Sequence, residues 1–246
     1  QQDDQRPHQC RHPVIADGGN ESGQATRLGH VGKATAFLPA VARIRAAVRP
    51  HSHYPRCVME QQQQRVVVLI PYFESPQGLL RSLASIRPDE PCDVLVVDDG
   101  SRKHPLDEDA ARARCHVRGR LAVLRLPHNQ GIEGALNTGL EWIRQRGYEF
   151  VARLDCGDRN RPGRITRQLS FLDDHPDVVL VGGRASYVDL AGVEQFVLPL
   201  PAEHDEIIAY LRNNSAFMHP SVMFRTAVLD RTGLYPTKYP RAEDYA

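Results

Sequence analysis

The chain has 246 residues, of which 41% are hydrophobic and 25% are charged, and its formal charge at pH 7 is +1. This length suits one large α/β domain, with or without an appendage, and the near-neutral charge argues against a dedicated nucleic-acid binder. No apolar run approaches the ~20 residues that span a bilayer, and five cysteines without a C-x-x-C pair favour free thiols over a disulfide framework or a zinc site.

The first 64 residues lack the regular hydrophobic periodicity of the rest of the chain. Their polar composition, which ends in the glutamine tract 61–64, predicts a poorly ordered N-terminal extension. Met59, just before this tract, is a candidate start of the native protein, in which case the residues before it would not belong to the natural chain. We expect one folded domain over residues 65–246.

From Arg65 onward, apolar strands alternate with amphipathic helices. The predicted strands are 66–70, 93–97, 121–126, 150–154 and 178–181, and the main predicted helices begin at Ser75-Pro76, Ile132 and Pro162. A short helix is also expected within the charged stretch 102–120. Strands and helices in this order predict βαβ units around a mainly parallel, twisted sheet, which is a Rossmann-like α/β architecture.

Polar residues directly follow three of these strands. The first strand continues into Phe73-Glu74, the second into Asp98-Asp99, and the fourth into the stretch 155–158, Asp-Cys-Gly-Asp. Because crossovers between parallel strands are right-handed, the three strand ends should meet at one edge of the sheet. Open α/β sheets bind ligands in the crevice at that edge. The sequence therefore predicts a nucleotide-type pocket rich in carboxylates.

A pocket of this charge needs a cation to bind a diphosphate. The chain has neither a G-x-G-x-x-G nor a Walker motif, but Mg²⁺ or Mn²⁺ can bridge carboxylate and phosphate oxygens. Asp155 and Asp158 are the candidate ligands. Alternatively, Asp158 caps the helix near Pro162, or both acids pair with nearby arginines. Phe73 has two interpretations as well, stacking on a base or packing in the core.

Six blocks of the sequence carry a resemblance to a known family. They are residues 66–74, 94–101, 129–140, 152–165, 219–225 and 242–245. In this order they resemble family 2 glycosyltransferases, which are inverting, nucleotide-sugar-dependent enzymes with the GT-A fold. The resemblance spans about residues 65–246, and it implies that fold and that activity.

The resemblance also implies roles for matching positions on the donor side. The expected nucleotide-sugar-binding residues are Pro71, Phe73, Glu74, Asp98, Asp99, Asn137 and Asp155. Glu74 stands where the family usually has Asn, and Asp99 matches the acid that contacts the base. The stretch 155–158 matches the Asp-x-Asp-Asp metal motif, with Gly157 in place of the acid that commonly holds the metal. Either Asp155 and Asp158 bind Mg²⁺ or Mn²⁺ instead, or metal binding is weakened.

On the acceptor side, Glu243 and Asp244 resemble the family's catalytic acidic pair. Inverting transfer needs a carboxylate to take the proton of the acceptor hydroxyl, and Asp244 matches this general base. The alternative is an exposed acid in a tail. His219 is expected on a strand near the acceptor, and the alternative is a histidine of the core.

The implied reaction moves a sugar from a nucleotide diphosphate donor, of the UDP or dTDP type, to a glycan or lipid-linked acceptor in bacterial surface polysaccharide synthesis. We expect a cytoplasmic protein, with peripheral association at the inner face of the membrane, and a catalytic domain that is incomplete at its C-terminus. Two alternatives remain open. A sugar nucleotidyltransferase would normally have a glycine-rich signature after the first strand, and a non-catalytic or degenerate sugar-nucleotide-binding module is suggested by Gly157.

Overall fold

The structure is a computed structural model that describes residues 63–189 and 192–238, together with the backbone of two short segments, 13–16 and 41–43. The strands are β1 (Pro13–Ala16), β2 (Val41–Arg43), β3 (Val66–Tyr72), β4 (Cys92–Asp98), β5 (Leu121–Arg125), β6 (Phe150–Arg153), β7 (Val178–Val181), β8 (Arg184–Val188), β9 (Glu194–Val197) and β10 (Met223–Arg225). The α-helices are α1 (Pro76–Ser85), α2 (Glu108–Arg114), α3 (Gly131–Gln145), α4 (Arg164–Asp174), α5 (His204–Tyr210) and α6 (Leu229–Thr232).

The central sheet has the strand order β2-β7-β10-β6-β3-β4-β5. Strand β3 pairs in parallel with β4 and β6, and β4 pairs in parallel with β5. Strand β10 inserts antiparallel between β6 and β7, so that β7 runs in the same direction as β6. Apart from β10 and the short β2, the strands of this sheet share one direction. The predicted mainly parallel α/β sheet is confirmed.

Helices cover both faces of this sheet. Every residue of β3, β4 and β6 is buried, as expected for parallel strands with a helical layer on each side. Alternate residues of β3 point to opposite layers. Val66, Val68 and Ile70 pack with apolar residues of α1 and α4, whereas Val67 and Leu69 pack with the apolar stripe of α3.

A second, antiparallel sheet has the order β1-β8-β9. Strands β1 and β2 both lie within the first 64 residues, and β2 pairs with β7 at the edge of the central sheet. The remainder of that stretch up to residue 62, including Met59, lies outside the described residues. Its poor order and the proposed start therefore stay predictions. In the part of the chain that is described, no helix is long and apolar enough to cross a membrane.

The prediction that His219 lies on a strand is wrong. Residues His219–Ser221 form a 3-10 helix, and β10 begins only at Met223. Pro220 has a fixed φ and no N–H, so it cannot donate to a strand ladder. The N–H of Ser221 instead donates to the main-chain oxygen of Met218 at 2.7 Å. The Ser221 hydroxyl oxygen accepts the N–H of Gly183 at 3.0 Å, which joins the turn to the segment between β7 and β8.

Candidate functional site

The carboxyl ends of β3, β4 and β6 lie side by side. Tyr72 is paired with Asp98 across β3 and β4, and Leu69 is paired with Arg153 across β3 and β6. Strand β6 therefore ends earlier along the sheet than β3. Pro71 is tolerated inside β3 because β6 has already ended at its level, so only β4 still flanks it. The predicted edge thus exists, and each group of polar residues leaves the sheet there.

The two acids at the end of β4, Asp98 and Asp99, hold loops in place. The buried carboxylate of Asp98 accepts the N–H of Ser101 at 3.0 Å and the N–H of Leu106 at 3.3 Å. The buried carboxylate of Asp99 accepts the N–H of Gln130 at 2.7 Å, which ties the end of β4 to the start of α3. Burial raises the pKa of Asp99 above its ordinary value. The sequence predicted both residues as nucleotide contacts. It did not indicate that their carboxylates accept main-chain N–H groups of the neighbouring loops.

Glu74 has a left-handed backbone conformation, with φ at +51°. Its carboxylate accepts the N–H groups of Lys103 (3.0 Å), Arg102 (2.8 Å) and His104 (2.6 Å). These N–H groups, led by that of Lys103, hold the pKa of Glu74 below its ordinary value. Asn adopts a positive φ more readily than Glu, so the family's usual Asn suits this backbone. The Glu74 carboxylate is engaged by the loop after β4.

Phe73 lies beside Glu74 and points away from the core. Its relative exposure is 48%, so the alternative of ordinary core packing is excluded. Ser75, two residues further on, accepts a weak hydrogen bond from Sγ of Cys156 at 3.6 Å. The segment that carries Phe73 is therefore in contact with the stretch 155–158 through Ser75, and it also presents an exposed aromatic ring.

Ser82 of α1 organises the segment 155–158, which we call the acid turn. Its hydroxyl oxygen accepts the N–H of Gly157 at 2.9 Å, and the hydroxyl lies 2.8 Å from the main-chain oxygen of Asp158. Gly157 has φ at +109°, a conformation that side chains rarely allow. Sequence reasoning missed Ser82. The available signal was a serine between Leu79 and Leu83 on the apolar face of α1.

The two acids of the acid turn have different environments. The side chain of Asp155 is 40% exposed, and its Oδ1 accepts a hydrogen bond from Nη2 of the buried Arg153 at 2.6 Å. Asp158 is buried, and burial together with the charge of Asp155 raises the pKa of Asp158 to about 8. Asp158 does not cap α4, since the N-cap residue of that helix is Gly163. Arg153 forms its ion pair with Asp155, and the charges of Arg153 and Arg164 lower the pKa of Asp158 without offsetting the effect of burial.

The fit to a divalent cation rests on these two carboxylates. The described residues contain no group of three or more His, Cys, Asp or Glu side chains that could hold a metal ion. Mg²⁺, however, is commonly bound by one or two carboxylates, with the remaining ligands from substrate phosphates and water. A carboxyl group whose charged form is disfavoured by burial would gain from an adjacent cation. Asp155 and Asp158 therefore fit a metal that is shared with a diphosphate.

His219 and Tyr235 meet on the other side of Arg153. Nε2 of His219 lies 2.8 Å from the hydroxyl oxygen of Tyr235 and 3.5 Å from Nε of Arg153. Burial, followed by the charge of Arg153, lowers the pKa of His219 to about 3, so the imidazole is neutral at neutral pH. Asn137 of α3 binds the main chain of Tyr235. Its Nδ2 donates to the main-chain oxygen of Tyr235, and its Oδ1 accepts the Tyr235 N–H, both at 2.9 Å.

The structure thus brings most of the predicted site residues to one edge of the sheet. Two of them, Glu243 and Asp244, lie outside the described residues, and their roles stay predictions. Arg153, Tyr235 and Ser82 belong to the same region and were not predicted.

Comparison with known proteins gives one family. Residues 67–233 match the family Glycosyl transferase family 2. The chain is 30% identical over 164 residues to the amylovoran biosynthesis glycosyltransferase AmsE of Erwinia amylovora, and the aligned residues cover 66% of this chain and 59% of that protein. It is 28% identical over 185 residues to the UDP-Gal:alpha-D-GlcNAc-diphosphoundecaprenol beta-1,3-galactosyltransferase of Escherichia coli. Here the aligned residues cover 74% of this chain and 64% of that protein. The chain spans about three fifths of the length of these relatives.

Solved structures share the fold. The mannosyltransferase PcManGT from Pyrobaculum calidifontis, in complex with GDP-Man and Mn²⁺, has a TM-score of 0.50 at 20% identity and covers 75% of this chain and 51% of that chain. TarS 1-349 of S. aureus has a TM-score of 0.52 at 23% identity and covers 73% of this chain and 52% of that chain. At these identities the likeness concerns the fold, and the expected GT-A architecture is confirmed.

Replacing Glu74 with Gln should lower the melting temperature at neutral pH, because the amide group turns a donor toward N–H groups that need an acceptor. The folded-state pKa of Glu74 is depressed, so its carboxylate stabilises the fold above the unfolded-state pKa and loses that effect as the pH falls through the folded-state pKa. The difference between variant and wild type should therefore shrink below about pH 4. Thermal unfolding followed by circular dichroism measures this, with Glu141→Gln on α3 as the control. Equal melting temperatures of Glu74→Gln and the wild type at neutral pH would contradict a stabilising role of the Glu74 carboxylate as hydrogen-bond acceptor.

Replacing Gly157 with Asp restores the family's acidic motif in sequence but should not restore it in structure. A side chain at φ +109° is strained by about 1–3 kcal/mol, and Gly157→Ala should lose a similar amount because the strain comes from the backbone. Urea unfolding measures both variants. A Gly157→Asp variant of full stability that also binds Mn²⁺ more tightly would show that the acid turn adopts a second conformation.

Proposed function

Because this chain belongs to glycosyl transferase family 2, we propose that the protein transfers a sugar from a nucleotide diphosphate donor to a glycan or lipid-linked acceptor with inversion. The observation that carries the proposal is the exposed Phe73 ring on a segment that contacts the acid turn through Ser75, at the carboxyl edge of a parallel sheet. The Phe73 ring suits a nucleobase, and the acid turn suits a diphosphate with its cation. A donor of the UDP or dTDP type is proposed from the resemblance of this pocket to the family.

On the donor side, the base would stack on Phe73, and the Asp99 carboxylate at the end of β4 would contact its edge. The diphosphate would lie over the acid turn, where Asp155 and Asp158 would hold Mg²⁺ or Mn²⁺. The metal, when bound, offsets the negative charge that develops on the leaving diphosphate. Glu74 fixes the loop 102–104 that borders the pocket, so it shapes the base site through main-chain contacts.

On the acceptor side, the attacking hydroxyl must lose its proton as its oxygen bonds to the anomeric carbon from the face opposite the diphosphate. We propose Asp244 as the base that takes this proton, with Glu243 beside it. Neutral His219 and the hydroxyl of Tyr235 would line the acceptor. A neutral imidazole can exchange hydrogen bonds with sugar hydroxyl groups without adding charge to the site.

The names of two relatives support a proposal for the cellular role. One is named for amylovoran biosynthesis, and the other is named for a diphosphoundecaprenol acceptor. We propose a role in bacterial surface polysaccharide synthesis at the cytoplasmic face of the membrane. An acceptor with a lipid anchor stays in the bilayer, so the protein would have to associate with the membrane surface to reach it.

A degenerate sugar-nucleotide-binding module is the second candidate. Two observations favour it: Gly157 removes one acid from the motif, and Arg153 already pairs with Asp155. Such a module would bind the donor without transferring or hydrolysing it. Metal-dependent hydrolysis of the donor separates the two, because it requires an active site and no acceptor.

The first prediction of the proposal concerns the metal. Calorimetric titration with UDP, dTDP and GDP should show binding of at least one nucleotide that depends on Mn²⁺, and Asp158→Ala should weaken this binding by about tenfold or more. Asp174→Ala, an exposed acid on α4, is the matched control and should leave the affinity unchanged. If the Asp158 variant binds as tightly as the wild type, the metal assignment fails. If none of the three nucleotides binds, the donor site fails.

The second prediction concerns the base. Phe73→Ala should weaken binding of the same nucleotide by about 5- to 150-fold, which corresponds to about 1–3 kcal/mol for stacking of one base on an aromatic ring. Phe196→Ala on β9 is the matched control, since that ring is similarly exposed at 46% and stacks on Tyr187 of β8. Loss of affinity in the control, or none in Phe73→Ala, would contradict the stacking role.

A further inference from the structure

Arg153 is a wholly buried arginine at the end of β6 whose side chain reaches three separate parts of the site. Its relative exposure is 0%. Nη1 donates to the main-chain oxygen of Leu69 at 2.9 Å, Nη2 donates to Oδ1 of Asp155 at 2.6 Å, and Nε donates to Nε2 of His219 at 3.5 Å. A charge this deeply buried requires acceptors for its donors, and here each acceptor belongs to a different element.

We propose that Arg153 is a positioning residue that holds the acid turn and His219 in one fixed arrangement, so that the donor side and the acceptor side of the site are assembled together. This inference rests on the proposed function, because the two sides have these roles only in a transferase. Arg153 is buried and touches no substrate in the proposal. It acts through Asp155 and His219.

The geometry of the guanidinium group supports this role. Its five N–H donors lie in one plane with fixed directions. The bond to the Leu69 oxygen sets that plane relative to β3, the central strand of the parallel pairs. With the plane fixed, Asp155 and His219 can each keep its hydrogen bond only in a narrow range of positions. A lysine ammonium, which is a single point on a flexible stem, cannot serve three such acceptors together.

A second buried arginine reinforces the same connection. Arg164 of α4 donates to the main-chain oxygen of Arg153 and to that of Pro220, both at 2.8 Å. It therefore joins the end of β6 to the 3-10 turn that carries His219. From His219 the connection continues to Tyr235, whose main chain is gripped by Asn137. The position of the segment around Tyr235 is thus linked to that of the acid turn.

Stability alone is a weak explanation of this arrangement. Buried ion pairs contribute little net stability, since the cost of desolvation offsets most of the attraction, and apolar residues of similar volume often serve as well. What the arginine provides and an apolar side chain does not is a fixed direction for each partner. Loss of such orienting partners typically weakens metal binding or activity by about 10- to 100-fold.

The test first uses the ligand-free protein. Nuclear magnetic resonance is recorded for Cγ of Asp155 and Nε2 of His219 in the wild type, Arg153→Lys and Arg153→Met. Arg225→Lys is the matched control, because Arg225 is a partly buried arginine of β10 that donates to main-chain oxygens away from the site. We expect both resonances to move in both Arg153 variants and neither to move in the control. If either resonance stays in place in a folded Arg153 variant, the proposal is overturned.

Binding of UDP with Mn²⁺ tests the consequence for the donor side. Arg153→Lys and Arg153→Met should weaken binding by about tenfold or more, and Arg225→Lys should stay within about twofold of the wild type. Unchanged affinity in Arg153→Lys would overturn the proposal. If the wild type binds neither UDP nor GDP nor dTDP, the proposed function fails instead, and the two resonances alone decide whether Arg153 positions both side chains.

A variant of the partly exposed acid covers the case in which the Arg153 variants do not fold. Asp155→Glu keeps the negative charge but moves the carboxylate, so a change at His219 reports geometry and not charge. We expect the Nε2 resonance of His219 to move in Asp155→Glu and to stay in place in Asp174→Glu, which changes an exposed acid of α4. An unmoved His219 resonance in Asp155→Glu would overturn the proposal.

Discussion

The parallel pairing of β3 with β4 and β6 is the constraint on which the rest of the structure depends. These strands are buried along their whole length, so they can carry polar groups freely only where they end. The stagger of the strands decides where that is, because β6 ends at the level of Leu69 and β4 continues to the level of Tyr72. The acid turn and the segment Phe73-Glu74 therefore leave the sheet at two levels of the same edge, an arrangement that suits the proposed nucleotide diphosphate donor.

The carboxylates at this edge differ in the groups that they bind. Asp98 and Glu74 use their oxygens to satisfy main-chain N–H groups of the loop after β4, and Asp99 does the same for the start of α3. Asp158 is buried with its charged form disfavoured. The acids of this pocket, which look alike in sequence, thus differ: three accept main-chain N–H groups, Asp155 pairs with Arg153, and Asp158 is the buried acid whose charged form an adjacent cation would stabilise.

Much of the fold could be predicted from the sequence, and less of the site. Hydrophobic periodicity predicted strands β3 to β7 and the main helices α1, α3 and α4, and the crossover rule placed Phe73, Asp99 and Asp155 at one edge. Local patterns could not show that β10 inserts between β6 and β7, or that Asn137 binds the main chain of Tyr235, because these contacts join residues far apart in the chain. The strand predicted at His219 is absent because Pro220 cannot donate to a strand ladder. The sequence does not indicate the role of Arg153, because a lone arginine at a strand end is usually solvated.

The left-handed backbone at Gly157 limits what a substitution at this single position can achieve. Its φ of +109° strains any side chain, and its N–H donates to the Ser82 hydroxyl. An acid at position 157 therefore also requires a different main-chain path through the turn. Engineering a third carboxylate into the acid turn means redesigning the backbone around Ser82 together with the side chain.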